Sequence, residues 1–139
     1  MAEQLLQDVG TSEGVPALRK RRVLVVDDDR DTRMSLALLL DDEGYDVEVA
    51  ATVGQFWKSV EEFDPDVVLL DIGLVDHRNG FDLARAINLR YRDFRPILIA
   101  VTGWDKPSDR ILSELAGFDH HLGKPYDPAR LIALIKRSE

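Results

Sequence analysis

The chain has 139 residues, 45% of them hydrophobic and 32% charged, with no cysteine and a formal net charge of −8. That balance suits one soluble globular domain; it excludes a disulfide scaffold and thiol chemistry, and so acidic a body repels nucleic-acid phosphates. No apolar run approaches the roughly 18–20 residues that span a bilayer, and the N-terminus, with Glu3 and Asp8, lacks a secretory apolar core, so a reducing, cytoplasmic setting is expected.

Residues 1–20 carry Gly10, Gly14 and Pro16 and no sustained period, and they read as a flexible or partly helical tail ahead of a domain at 21–139. The basic run Arg19–Arg22 reads as a solvated lead-in to the first strand rather than a handle on nucleic acid or membrane. From Arg22 the chain alternates. RVLVV (22–26) is a short apolar strand, and DTRMSLALLLDDEG (31–44) is a helix stopped at Gly44. YDVEVA (45–50) has one polar face, and TVGQFWKSVEEF (52–63) is a helix with Thr52 as N-cap and a stripe of Val53, Phe56, Trp57 and Val60.

DVVLL (66–70) is a strand apolar on both faces. GFDLARAINLRY (80–91) is a helix that aligns Leu83, Ala84, Ile87 and Tyr91. PILIAV (96–101) is a fourth strand. SDRILSELAG (108–117) is a helix with Ile111, Leu112 and Leu115 as its expected stripe and Gly117 as its stop. FDHHL (118–122) is the fifth strand, and DPARLIALIKRS (127–138) the closing helix, with Pro128 in its first turn. Strands that are apolar throughout are those of parallel sheets covered on both faces. Five strand–helix alternations with right-handed crossovers therefore predict a doubly wound, open α/β sheet, with no segment left after the last helix to build an output module.

In such a sheet, ligands meet the carboxyl ends of the strands. The first strand ends in VVDDDR, bringing Asp27, Asp28 and Asp29; the third, in VVLLDIGL, brings Asp71; the fourth, in VTG, brings Thr102; the fifth, in LGKP, brings Lys124. Clustered carboxylates repel unless a cation joins them. A hard divalent ion, Mg²⁺ above all, suits an all-oxygen donor set, and Lys124 suits an anionic oxygen. Together they match the handling of a phosphoryl group by a carboxylate nucleophile. Two other acid motifs fail. DDDRDT lacks the glycine and closing glutamate of a calcium loop, with Thr32 and Leu38 in those places. It also lacks the Thr or Val that haloacid-dehalogenase-type phosphotransferases carry four residues after the first aspartate, having Asp31 there.

The ordered set VVDD, LLDIGL, VTG and GKP, spread over residues 22–137, strongly resembles the receiver domain of bacterial two-component response regulators. The resemblance implies a (βα)5 fold with flavodoxin-like strand order 2-1-3-4-5. It implies Asp71 as phosphoacceptor from a histidine kinase or histidine phosphotransfer protein, and Mg²⁺ held by Asp27, Asp28, Asp71 and the Gly73 carbonyl. Asp28 would ligate directly and Asp27 mainly through water. Thr102 and Lys124 would engage the phosphoryl group, the Lys124–Pro125 bond would be cis, and His121 would occupy the switch position. Either a downstream protein would read the face made by the fourth helix, fifth strand and fifth helix, or the domain would act as a phosphorelay intermediate, with no external substrate turned over.

Two departures stand out. Val75 replaces a usual proline, and Gly80 comes nine residues after the acceptor rather than eight, so the intervening loop is one residue longer. The rival to a phosphorylated switch is therefore a phosphorylation-independent interaction module on the same fold. Trp104 is expected on the loop facing the site, and Trp57 in the core.

Overall fold

The computed structural model describes residues 19–73 and 80–138; the tail at 1–18 and the loop around Val75 lie outside the described residues. The described residues form strands β1 (Arg22–Val26), β2 (Asp46–Ala50), β3 (Val67–Leu70), β4 (Ile97–Thr102) and β5 (His120–Gly123). Between and after them run helices α1 (Arg30–Asp42), α2 (Val53–Glu62), α3 (Gly80–Tyr91), α4 (Pro107–Ala116) and α5 (Pro128–Arg137), with a 3-10 turn at Arg92–Phe94. The sheet is parallel in the order β2-β1-β3-β4-β5.

The strands are apolar on both faces because both faces are covered. Alternate side chains leave a strand in opposite directions. Leu24, Val26, Val68, Leu70, Leu98 and Ala100 therefore face α2 and α3, packing with Phe56, Val60, Leu83 and Ile87. Val23, Val25, Val67, Leu69, Ile99 and Val101 face α1 and α5, packing with Leu36, Leu40, Leu131 and Ile135. Phe56 is fully buried, whereas Trp57 packs against the core edge, with Arg90 5.5 Å from its ring centroid.

Helix ends follow local chemistry. The Thr52 hydroxyl caps α2 by accepting from Gln55 N at 3.2 Å, while Gln55 Oε1 accepts from Ala51 N at 2.7 Å. Gly44 and Gly117, with φ of +92° and +101°, take the left-handed conformation that lets the chain leave α1 and α4.

The α4 stripe is a correction. Ile111, Leu112 and Leu115 are exposed, and the helix buries Ser113 and Ala116 instead. Small residues let α4 lie close against its neighbours, which turns the large apolar side chains outward. The basic run is also less free than expected. Arg19 pairs with Asp66 at 3.0 Å, Lys20 with Asp46 at 4.0 Å and Arg22 with Asp64 at 3.8 Å, while Arg21 donates to Ser138 Oγ at 2.9 Å.

The start of β5 is tied to β4 by Asp119, which accepts from both Arg95 Nη atoms at 2.7 and 2.8 Å and from Leu98 N at 2.8 Å. Burial alone would raise the Asp119 carboxyl, but these donors outweigh it and hold it below 3.8. A depressed folded-state value stabilises fully above the unfolded one and is lost as the pH falls through the folded one. Asp119→Asn keeps an acceptor for Leu98 but loses the ion pair. It is expected to cost about 1–3 kcal/mol at pH 7 in denaturant unfolding. The gap from wild type should close as the pH drops below 3.8; a gap independent of pH would refute the ionic account.

Candidate functional site

β1 and β3 are adjacent and in register, Val26 opposite Leu70, so the residues that follow them, Asp27 and Asp71, emerge side by side. Backbone bonds fix both: Asp71 N donates to Val26 O at 3.0 Å and Asp27 N to Ala50 O at 3.2 Å. Asp28 joins them, and one carboxylate oxygen from each of the three lies within 4.8 Å of the others. Asp27 is buried and Asp28 exposed, so the cluster runs from the sheet edge to solvent.

Lys124 enters from the end of β5. Its Nζ lies 2.8 Å from Asp27 Oδ2 and 3.5 Å from Asp71 Oδ2. Burial would lower its pKa, but the two carboxylates outweigh burial and raise it, so the ammonium is secured. The Asp27 pKa is raised as well. Burial lifts its carboxyl above the usual range and the Asp71 charge adds to this, with Lys124 offsetting only part. One ammonium thus undercompensates three carboxylates. An oxygen-only cluster with surplus negative charge fits a hard divalent cation.

The other Asp71 oxygen, Oδ1, accepts from Gly73 N at 3.0 Å, which fixes the carboxylate plane. Thr102 is fully buried; its carbonyl accepts from Lys124 N at 2.8 Å and its hydroxyl from Trp104 N at 3.1 Å. The Lys124–Pro125 peptide bond is cis.

Asp29 does not join the cluster. It caps α1, its carboxylate accepting from the Thr32 hydroxyl at 2.6 Å and from Thr32 N at 3.0 Å, and these bonds hold it below the ordinary range. The Trp104 indole lies over Gly73, where an added Cβ would meet Nε1 at 3.2 Å, and leans on Phe81 with ring centroids 6.3 Å apart.

The His121 side chain is turned inward, with only 7% of it exposed. Its Nε2 lies 2.9 Å from the Trp104 carbonyl, an acceptor only, so Nε2 carries the proton and donates. Burial pushes the imidazole below its usual range. Asp105 stands 3.4 Å from the same nitrogen and 2.7 Å from Arg110.

Sequence reasoning passed over Arg33, whose guanidinium donates to the Asp27 carbonyl at 2.9 Å, and Asp105. Arg33 had a signal in its place one turn into the helix that follows the acid pair; Asp105 had none.

Gly80 explains the displaced glycine of the sequence. Its N donates to Ile72 O at 2.7 Å, and a Cβ there would lie 2.7 Å from Ile72 Cα and 2.9 Å from Asp71 O. Both neighbours are backbone and neither can swing aside.

Over residues 23–136 the chain matches the family described as response regulator receiver domain. It belongs to that family. It is similar to a CheY-like response regulator receiver domain protein from Methanospirillum hungatei, with 35% identity and a TM-score of 0.76, covering 86% of this chain and 93% of that one. A signal receiver domain from Bermanella marisrubri is 26% identical with a TM-score of 0.77, covering 86% and 98%. Among curated proteins, an uncharacterized 14.6 kDa protein of Leptolyngbya boryana is 32% identical over 120 residues, 86% of this chain and 91% of that protein. Phosphoryl acceptance in two-component signalling is the standard function of the family, and the receiver fold and its acidic cluster are both present. Among the described residues no helix is long and apolar enough to cross a membrane.

Two outcomes follow for the receiver site. Lys124→Met removes the strongest of the interactions that lower the Asp27 pKa, leaving the bond from Asp29 N, so carboxyl-carbon NMR titration should find Asp27 shifted further upward than in wild type. An unchanged value would contradict the charge balance described above. Gly80→Ala should destabilise the fold by about 1–3 kcal/mol in denaturant unfolding, through backbone overlap at Asp71 and Ile72; a neutral result would refute that close approach.

Proposed function

We propose that Asp71 accepts a phosphoryl group from a phosphohistidine of a histidine kinase or histidine phosphotransfer protein, and that residues 21–139 act as a phosphorylation-dependent switch in the cytoplasm, preceded by an appended tail at 1–20. The observation that carries this reading is the Lys124 ammonium set between Asp27 and Asp71 inside a three-carboxylate cluster. An Asp71 oxygen forms the new bond to phosphorus as the bond from phosphorus to the donor imidazole nitrogen breaks. That nitrogen keeps the bonding pair and takes up a proton. Lys124 counters charge on the phosphoryl oxygens, and the Thr102 hydroxyl donates to one of them. Gly73 N–H holds the carboxylate in place for attack. Mg²⁺, held by Asp27, Asp28, Asp71 and the Gly73 carbonyl, supplies further positive charge against those oxygens when bound. Later attack of water on phosphorus releases inorganic phosphate and returns Asp71 as a carboxylate, so no external substrate is turned over.

Thr102 and His121 carry the signal in this reading. Moving the Thr102 hydroxyl breaks its bond from Trp104 N, and Trp104 in turn holds His121 through its carbonyl. The readout face is that of α4, β5 and α5, where exposed Ile111, Leu112 and Leu115 offer an apolar contact to a downstream protein.

Intact mass after incubation with acetyl phosphate and Mg²⁺ tests the proposal. Wild type should gain one phosphoryl group and Asp71→Asn none, with Lys124→Met slowed by ~10²-fold. Trp104 fluorescence should change with phosphorylation, since the indole covers Gly73. No mass gain, with no response to beryllofluoride, would favour the phosphorylation-independent interaction module.

A further inference from the structure

His121 and Gly123 lie two residues apart on β5 and so face the same side of the sheet. Gly123 pairs with Thr102, the last residue of β4. Three residues beyond Thr102 the chain has turned back over β5. The Asp105 carboxylate lies against the Gly123 backbone, in the space that a Cβ there would fill. A side chain at position 123 would push it away, so glycine leaves the seat open. The same carboxylate stands 3.4 Å from His121 Nε2.

Arg110, from α4, completes the group. Its Nη2 lies 2.7 Å from Asp105 Oδ1 and its Nη1 3.5 Å from the His121 carbonyl oxygen. One carboxylate thus joins the β4–α4 loop that carries it, α4 through Arg110, and β5 through His121 and Gly123. Neither Asp105 nor Arg110 belongs to the acid cluster. What they restrain is the loop: Asp105 follows Trp104 directly, and Trp104 is bonded to Thr102 through its N–H and to His121 through its carbonyl.

We propose that Asp105 is a positioning residue: its carboxylate, gripped by Arg110, clasps the β4–α4 loop onto β5 and so limits how tightly the site engages a phosphoryl group. The inference rests on the switch reading of Thr102 and His121 given above. In that reading the Thr102 hydroxyl gives up its bond from Trp104 N to reach a phosphoryl oxygen. Moving residue 104 carries Asp105 off Gly123 and away from His121. An interaction present only before that movement opposes it by as much as it contributes. The Asp105 and Arg110 side chains are 39% and 48% exposed, so solvent screens the pair and the effect is several-fold rather than hundredfold.

Beryllofluoride with Mg²⁺, titrated calorimetrically into the full chain, tests this without relying on a signal from Trp104. Asp105→Ala and Arg110→Ala should each bind about three- to fivefold more tightly than wild type. The double variant should gain no more than the stronger single one, since both break one clasp. Arg110→Lys, which keeps a cation within reach of Asp105, should bind nearly as wild type does. Arg110→Ala is decisive: losing a cation should by charge alone weaken binding of an anion, and mere damage to the fold would not tighten it. Equal or weaker binding by Arg110→Ala, with wild type binding, would overturn the clasp alone. No binding by wild type or any variant would overturn the switch reading, and the clasp with it.

Discussion

The Lys124 ammonium, reaching from the end of β5 to carboxylates at the ends of β1 and β3, is the constraint on which the site depends. Without it, Asp27, Asp28 and Asp71 would be three like charges at close range, one of them buried. β5 lies two strands from β3, about 10 Å across the sheet, a gap that calls for a long cationic side chain. The ion pair therefore spans the carboxyl edge of the sheet, and the strand register beneath it decides whether it forms. A shift of one residue in the β1–β3 pairing would send Asp71 to the opposite face and dissolve the cluster.

Around this centre, the β4–α4 loop works as a second layer. Thr102 reaches Lys124 through its carbonyl and Trp104 through its hydroxyl, and Trp104 in turn lies over Gly73 and binds His121. Hydrogen bonds join Thr102 to Trp104 and Trp104 to His121, so in the proposed switch a displacement at Thr102 would pass through bonded groups rather than across solvent. The inward His121 ring has a polar anchor that an apolar aromatic would lack. Its buried Nδ1, without a partner among the described residues, is the cost of placing an imidazole there.

The surface of the domain is divided by composition. The exposed large apolar residues fall into separate groups, among them Met34, Leu38 and Val49 beside α1 and Ile111, Leu112 and Leu115 on α4. These lie on opposite faces of the sheet, so contact at one need not block the other. Between them, ion pairs such as Arg95–Asp119 and Arg19–Asp66 tie strand ends together and occupy charges that would otherwise be free.

The sequence by itself determined the alternation of strands and helices, the family and the residue types at each strand end. Those rest on local signals: apolar runs, the cap at Thr52, Pro128 in the first turn of its helix, the glycine stops, and motifs whose order survives in one dimension. Tertiary structure decided the remainder. Asp29 reads like its neighbours in the chain, but only the start of α1 turns it into a cap. The α4 periodicity suited a buried Ile111, Leu112 and Leu115, yet the close neighbours of that helix admit only Ser113 and Ala116. Gly80 looked displaced by one place until the backbone of Asp71 and Ile72 was found against it. In each case the deciding contact lies far along the chain or depends on which face a helix turns inward. Pairwise distance across a folded sheet is a property that no local pattern of residues contains.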